Sequence, residues 1–127
     1  MGISRLMGLQ VLVVEDEMLV ALDLKMMLSG LGCIVVGPAP SIAAALRIVR
    51  TTALDGAVLD VNLRGRPSFD LADELQRLGV PIIFATGYDA STLPERFQGV
   101  PHVMKPIQRS EIVDAMTAVF IPAHTDH

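Results

Sequence analysis

The chain has 127 residues, enough for one compact domain but not for two. Hydrophobic residues make up 51% of it, with no Trp, one Tyr and four Phe, so it can form a sizeable and mainly aliphatic core. A formal net charge of -4, with no basic run and no interleaved aromatic platform, argues against nucleic-acid binding, which needs clustered Lys and Arg to neutralise phosphates.

Cys33 is the single cysteine, so no internal disulfide can form. It sits in the apolar run Cys33–Val36 and reads as a small buried hydrophobe. No apolar run approaches the ~18–20 residues of a membrane span. Met1–Leu9 holds one Arg and no small-residue cleavage pattern, which reads as no signal peptide. A soluble, cytoplasmic protein is expected.

Leu9–Val14 predicts the first strand. Val20, Leu24, Met27, Leu28 and Leu31 then recur at helical spacing until Gly30 and Gly32 end the run. Cys33–Val36 is the second strand, and Ser41 suits the N-cap of a helix carrying Ile42, Ala45, Leu46 and Val49. Ala57–Leu59 is the third strand. Ser68 could cap a third helix with Leu71, Leu75 and Leu78, closed by Gly79. After the fourth strand, Pro81–Ala85, the residues Thr92, Leu93, Pro94 and Glu95 suit a capping box. Only a turn or two can follow before Gly99, so a short, loosely held fourth helix is expected over Asp89–Gly99. Val100–Met104 is the fifth strand, and Ile112, Met116 and Val119 mark a fifth helix stopped by Pro122.

Most of these strands are continuously apolar, the mark of strands buried on both faces. Five β-α repeats with crossovers of this length impose parallel pairing and put helices on both sides. The expected fold is α/β: a doubly wound five-stranded parallel sheet, flavodoxin-like, in the order 2-1-3-4-5. The domain is expected over residues 9–121, with 1–8 and 122–127 as tails.

In such sheets ligands bind beyond the carboxyl ends of the strands, near the point where strand order reverses. Glu15, Asp16 and Glu17 follow the first strand, Asp60 ends the third, Thr86 the fourth and Lys105 the fifth. Glu15, Asp16 and Asp60 would bring three negative charges into one pocket, each pair repelling by about 3 kcal/mol at ~5 Å and an effective dielectric near 20. Lys105 offsets one charge, and a divalent cation would offset the others. Oxygen donors with room for water suit Mg²⁺, and in the metal's absence at least one carboxyl is expected to be raised by its neighbours. A carboxylate in that setting can take a phosphoryl group as an acyl phosphate, with Asp60 as nucleophile and Thr86 and Lys105 as donors to the phosphoryl oxygens. Glu17 reads as an acidic helix N-terminus and no more.

The chain resembles the receiver domain of two-component response regulators. The motifs are Val11–Glu17, Ala57–Leu63, Phe84–Tyr88 and Lys105-Pro106, and the resemblance covers Leu9 to about Phe120. It implies a (β/α)5 receiver fold and a bacterial phosphorelay switch that accepts a phosphoryl group on Asp60. The donor would be a sensor histidine kinase or phosphotransfer protein. Such a domain catalyses its own phosphorylation and slow dephosphorylation and is not a turnover enzyme. Asp16 matches the direct acidic Mg²⁺ ligand, Glu15 a ligand acting through water, and the Asn62 backbone carbonyl the third protein ligand. Thr86 and Lys105 match the residues that grip the phosphoryl oxygens, and the Lys105–Pro106 bond is commonly cis in the family. His102 stands where many receivers carry an aromatic switch residue. Phe84–Tyr88 resembles the Phe-Ala-Thr-Gly-Tyr subclass, in which the segment after the Thr signals, and Tyr88 is its candidate mobile ring.

The resemblance further implies a downstream protein target. A monomer or weak dimer is expected, docking through the fourth helix, fifth strand and fifth helix, with Met104, Ile112 and Met116 as candidates for the edge of that face and core packing as the favoured role for each. Only a short tail follows Pro122, so the expectation is either a domain without an attached output domain that acts by docking a partner, or a fragment of something longer. One alternative is a pseudo-receiver or phosphorelay sink that does not use phosphorylation for output. Another is a phosphohydrolase of the haloacid dehalogenase type. That chemistry wants a second Asp two residues after the nucleophile, where this chain has Asn62.

Overall fold

The computed structural model describes residues 5–87 and 93–121. Five strands form one parallel sheet: β1 (Gln10–Val14), β2 (Ile34–Ala39), β3 (Gly56–Asp60), β4 (Ile82–Thr86) and β5 (His102–Met104). Their spatial order is β2-β1-β3-β4-β5, as expected, and the order reverses between β1 and β3. Helices fully within the described residues are α1 (Met18–Gly30), α2 (Ile42–Thr51), α3 (Phe69–Arg77) and α4 (Arg109–Phe120), the last being the helix that the sequence reading counts as fifth. No helix among the described residues is long and apolar enough to cross a membrane.

Strand alternation divides the core in two. Val11 and Val13 of β1 point to one face with Val58, Ile83 and Val103, where Leu24 and Leu28 of α1 and Ile112, Met116 and Phe120 of α4 cover them. Leu12 and Val14 point to the other face with Leu59 and Phe84, under Ala45 and Val49 of α2 and Leu71 and Leu75 of α3. Both faces of the central strands are dry, which is why those strands read as unbroken apolar runs. The edge strand β2 is the exception: Ile34 is exposed, and most of the strand is only partly covered.

Local signals explain some boundaries. The Ser41 hydroxyl accepts the Ala44 N–H at 3.2 Å and so caps α2. Gly79, at φ 77°, closes α3 as a left-handed C-terminal residue. Gly56 lies against the Phe120 ring so closely that a Cβ would come within 2.6 Å of it.

Other expectations need correction. Ser68 precedes α3 but does not cap it: its hydroxyl donates to the carbonyls of Asp60 at 2.6 Å and Val61 at 3.2 Å. Leu78 is exposed and not part of the α3 core face. Leu6, placed by the sequence in a tail, is fully buried, and its carbonyl accepts from Cys33 Sγ at 3.4 Å. Cys33 itself is buried, and that burial pushes its thiol above the ordinary value. Of the expected fourth helix, the described part is one 3₁₀ turn, Glu95–Phe97, with Pro94 just before the turn and not inside it. Residues 88–92, with Tyr88 and Thr92, lie outside the described residues, as do the Pro122 stop and the C-terminal tail.

Two side chains hold that 3₁₀ turn: Arg96 pairs with Asp73 of α3 at 3.0 Å, and Phe97 packs inside. Phe97 is fully buried, stacks on Phe69 at 5.5 Å and meets Phe84 edge-on at 5.3 Å. The turn is too short to be stable alone, so its place depends on this packing. Phe97→Ala is expected to cost about 3–5 kcal/mol in urea unfolding. A variant with an unchanged midpoint would contradict that.

Candidate functional site

The carboxyl end of the sheet carries the polar residues. β1 ends at Val14, and Glu15 follows, its side chain buried to 3% exposure. Asp60 is the last residue of β3 and Thr86 the last of β4, and both are buried. Lys105 follows β5, and the Lys105–Pro106 bond is cis, as the resemblance implied. The backbone fixes the approach: the Lys105 N–H donates to the Thr86 carbonyl at 2.9 Å, tying the ends of β4 and β5 together.

The side chains converge as expected. Lys105 Nζ lies 2.8 Å from Asp60 Oδ2 and 2.9 Å from Glu15 Oε1. Burial works against the Lys105 charge, but hydrogen bonds to Asp60 and Glu15 and the charges of those groups leave its ammonium above the ordinary value. Glu15 is pushed up to about 7. Loss of water on burial is the main cause. The Lys105 hydrogen bond and the Glu17 N–H pull Glu15 back, and the Asp60 charge raises it again. One carboxyl is raised, but the cause is loss of water and not the crowding of acids that was expected: the Lys105 hydrogen bond, which lowers it, outweighs the Asp60 charge, which raises it.

Glu15, Asp16 and Asp60 each present a carboxylate oxygen within 4.8 Å of the others. A cleft of about 400 Å³ opens beside them, lined by Asp16, Asp60, Asn62, Thr86 and Lys105 among others. Clustered hard oxygen donors with room for water are the set that Mg²⁺ takes, so the residues fit that ion. Asn62 lies at the cleft with its N–H on Asp60 Oδ1 at 3.2 Å. His102 is exposed on the edge strand β5, away from the cleft lining.

Three supporting residues escaped the sequence reading. Asn62–Leu63 and Arg66–Pro67 pair as a small antiparallel hairpin after β3, and the Arg64 N–H at its tip donates to Asp16 Oδ2 at 2.8 Å. The Arg64-Gly65 pair, a turn signal, could have found it. The Ser68 hydroxyl holds the Asp60 carbonyl, a role hidden by its position before a helix. Glu17, read as a helix terminus only, comes within 4.0 Å of Lys105 Nζ.

The profile described as the response regulator receiver domain matches residues 11–117. The chain belongs to this family. Receiver domains of this family are signalling phospho-acceptors. The phyllosphere-induced regulator PhyR of Methylorubrum extorquens is 36% identical over 94 residues, covering 72% of this chain and 33% of that protein. The transcriptional regulatory protein PdtaR of Mycobacterium tuberculosis is 29% identical over 111 residues, covering 84% of this chain and 54% of that protein. The chain thus spans between a third and about half the length of these curated relatives. Among solved structures, SdrG from Sphingomonas melonis matches with a TM-score of 0.80 at 35% identity, over 91% of this chain and 98% of that one.

Asp16 is the acidic residue of the receiver's cluster with no ammonium within 4.0 Å among the described residues, yet it sits in the field of Asp60 and Glu15. Asp16→Asn keeps an oxygen for the Arg64 N–H and removes a repelling charge. In the absence of metal this variant is expected to be more stable than the parent by about 1 kcal/mol or more. Mg²⁺ should raise the melting temperature of the parent but hardly that of the variant. Equal stabilisation of both by Mg²⁺ would count against the assignment.

Proposed function

We propose that this receiver domain is a phosphorylation-activated signalling switch, charged on Asp60 by a sensor histidine kinase or phosphotransfer protein in the cytoplasm. The single observation that carries the reading is the Lys105 ammonium at 2.8 Å from the Asp60 carboxylate, in a cleft that Asp16 and Thr86 also line. Glu15, Asp16, Asp60 and the Asn62 carbonyl would hold Mg²⁺. Bound there, the ion would neutralise the carboxylates and the charge building on the phosphoryl oxygens.

In the transfer step an Asp60 oxygen bonds to phosphorus as the P–N bond of a protonated phosphohistidine breaks. The imidazole leaves neutral, with the electron pair, so the chain need supply no proton. The transition state is loose, and its charge falls on the equatorial oxygens. Lys105 and the Thr86 hydroxyl are the donors for those oxygens. Access passes α1, whose exposed Met18 and Leu22 share a cleft with Glu15 and Asp16 and suit an apolar face of the donor protein.

Phosphorylation adds about -1.5 to -2 charge and three acceptor oxygens. Driving a domain from mostly inactive to mostly active takes roughly 5.5 kcal/mol of differential interaction. Two charge-assisted bonds at about 1.5–3 kcal/mol each supply much of it. The response then runs along β4 to the segment after Thr86, in the manner of the Phe-Ala-Thr-Gly-Tyr subclass, with Tyr88 as the moving ring in place of an aromatic at His102. Phe84, two residues before Thr86, touches the Phe97 ring that seats the 3₁₀ turn, which supports this route. Output is to a protein target.

Acetyl phosphate with Mg²⁺ should add one phosphoryl mass to the intact chain, and Asp60→Ala should abolish the gain. Thr86→Ala should still be phosphorylated, while the NMR shifts that phosphorylation produces in Leu93–Gly99 become much smaller. A mass gain that survives Asp60→Ala would refute the assignment, and unaltered shifts in the Thr86 variant would refute the route.

A further inference from the structure

Arg64 sits at the tip of the Asn62–Pro67 hairpin with φ 52°, and it is the one non-glycine at positive φ among the described residues. That conformation crowds Cβ against the backbone and is avoided by long side chains. The backbone role of the position does not ask for arginine. Its N–H holds Asp16 Oδ2 at 2.8 Å, and a glycine would keep that bond without strain. The side chain therefore needs its own account.

Arg64 lines two adjoining clefts. One is the acidic cleft with Asp16, Asp60, Thr86 and Lys105; the other, about 470 Å³, runs between α1 and the Pro38–Pro40 segment. The residue is exposed, and its guanidinium makes no ion pair within 4.0 Å among the described residues. Asp16, Glu17 and Asp60 line the acidic cleft and Glu15 lies beside it, against the ammonium of Lys105, which bridges Glu15 and Asp60. With Mg²⁺ bound as proposed above, the ion and Lys105 leave the cleft no surplus positive charge for an anionic donor, and a planar, permanently charged guanidinium at the rim supplies one.

We propose that Arg64 is a specificity-determining residue for the phosphoryl donor, its guanidinium drawing the donor's anionic oxygens into the cleft above Asp60. The proposal rests on the phosphorylation reading given above. With acetyl phosphate, an Asp60 oxygen bonds to phosphorus, the bond from phosphorus to the bridging oxygen breaks, and acetate leaves with the electron pair.

The test compares the full chain with R64G and R64Q, using acetyl phosphate and the less highly charged phosphoramidate, each with Mg²⁺, followed by intact mass. Both variants should slow acetyl phosphate transfer by about 5- to 10-fold at low salt. They should slow phosphoramidate transfer clearly less, and the deficit should shrink as salt rises. Metal-free R64G should melt at or above the parent, which separates loss of the guanidinium from damage to the hairpin. Parental rates in R64G overturn the proposal. So does an equal loss with both donors, which would assign the effect to Asp16 and its N–H partner. If the parent itself takes up no phosphoryl group from either donor, the phosphorylation reading fails and Arg64 loses its role with it.

Discussion

One ammonium shared by two buried carboxylates organises this molecule's working end. Lys105 Nζ bridges Glu15 and Asp60, both nearly without solvent contact, while Asp16 stands beside them. Taking such charges out of water is costly unless each finds a partner, and removing one partner of a buried pair typically costs about 3–5 kcal/mol. The three residues come from the ends of β1, β3 and β5, so the contact exists only when the sheet closes in the order found. The site is at once a product of the fold and a strain upon it, since one ammonium cannot balance three acids.

That imbalance is what makes the site responsive on the proposed reading. A fully neutralised pocket would gain little from a cation or a phosphoryl group. Here the excess negative charge favours a divalent ion, and the phosphoryl oxygens then find Lys105 and Thr86 already held at the ends of adjacent strands by the Lys105 N–H to Thr86 carbonyl bond. Behind Thr86, the Phe84–Phe97–Phe69 cluster gives any shift of the β4 end a packed path to the 3₁₀ turn. On the proposed reading the same residues serve core and signal.

Much of this was legible in the sequence because two strong periodicities and a positional rule agree. Apolar runs broken by Gly-closed helices specify a buried parallel sheet, and the first polar residue after each run falls at its carboxyl edge. Glu15, Asp60, Thr86 and Lys105 were found that way. What escaped depends on contacts that no local pattern encodes. Ser68 looks like a helix cap, yet its hydroxyl turns back to the Asp60 carbonyl. Leu6 lies outside any periodic run and is buried by tertiary packing. The hairpin at Asn62–Pro67 is too short to show alternation, so the Arg64 N–H to Asp16 bond was invisible. In the described part of the fourth helix, capping residues say where a turn can start, while the turn itself is fixed by burial of Phe97 and by the Arg96–Asp73 pair, which no local pattern encodes.

The central claim is that residues from four strand ends act as a single charged site. A Mg²⁺ titration followed by amide NMR tests it most directly. The account predicts that the amides of Asp16, Asp60, Asn62, Thr86 and Lys105 shift together along one saturable isotherm, while those of the exposed α1 face around Leu19 and Met26 stay still. Separate isotherms for these residues, or no saturable shift at Asp16 and Asp60, would contradict it.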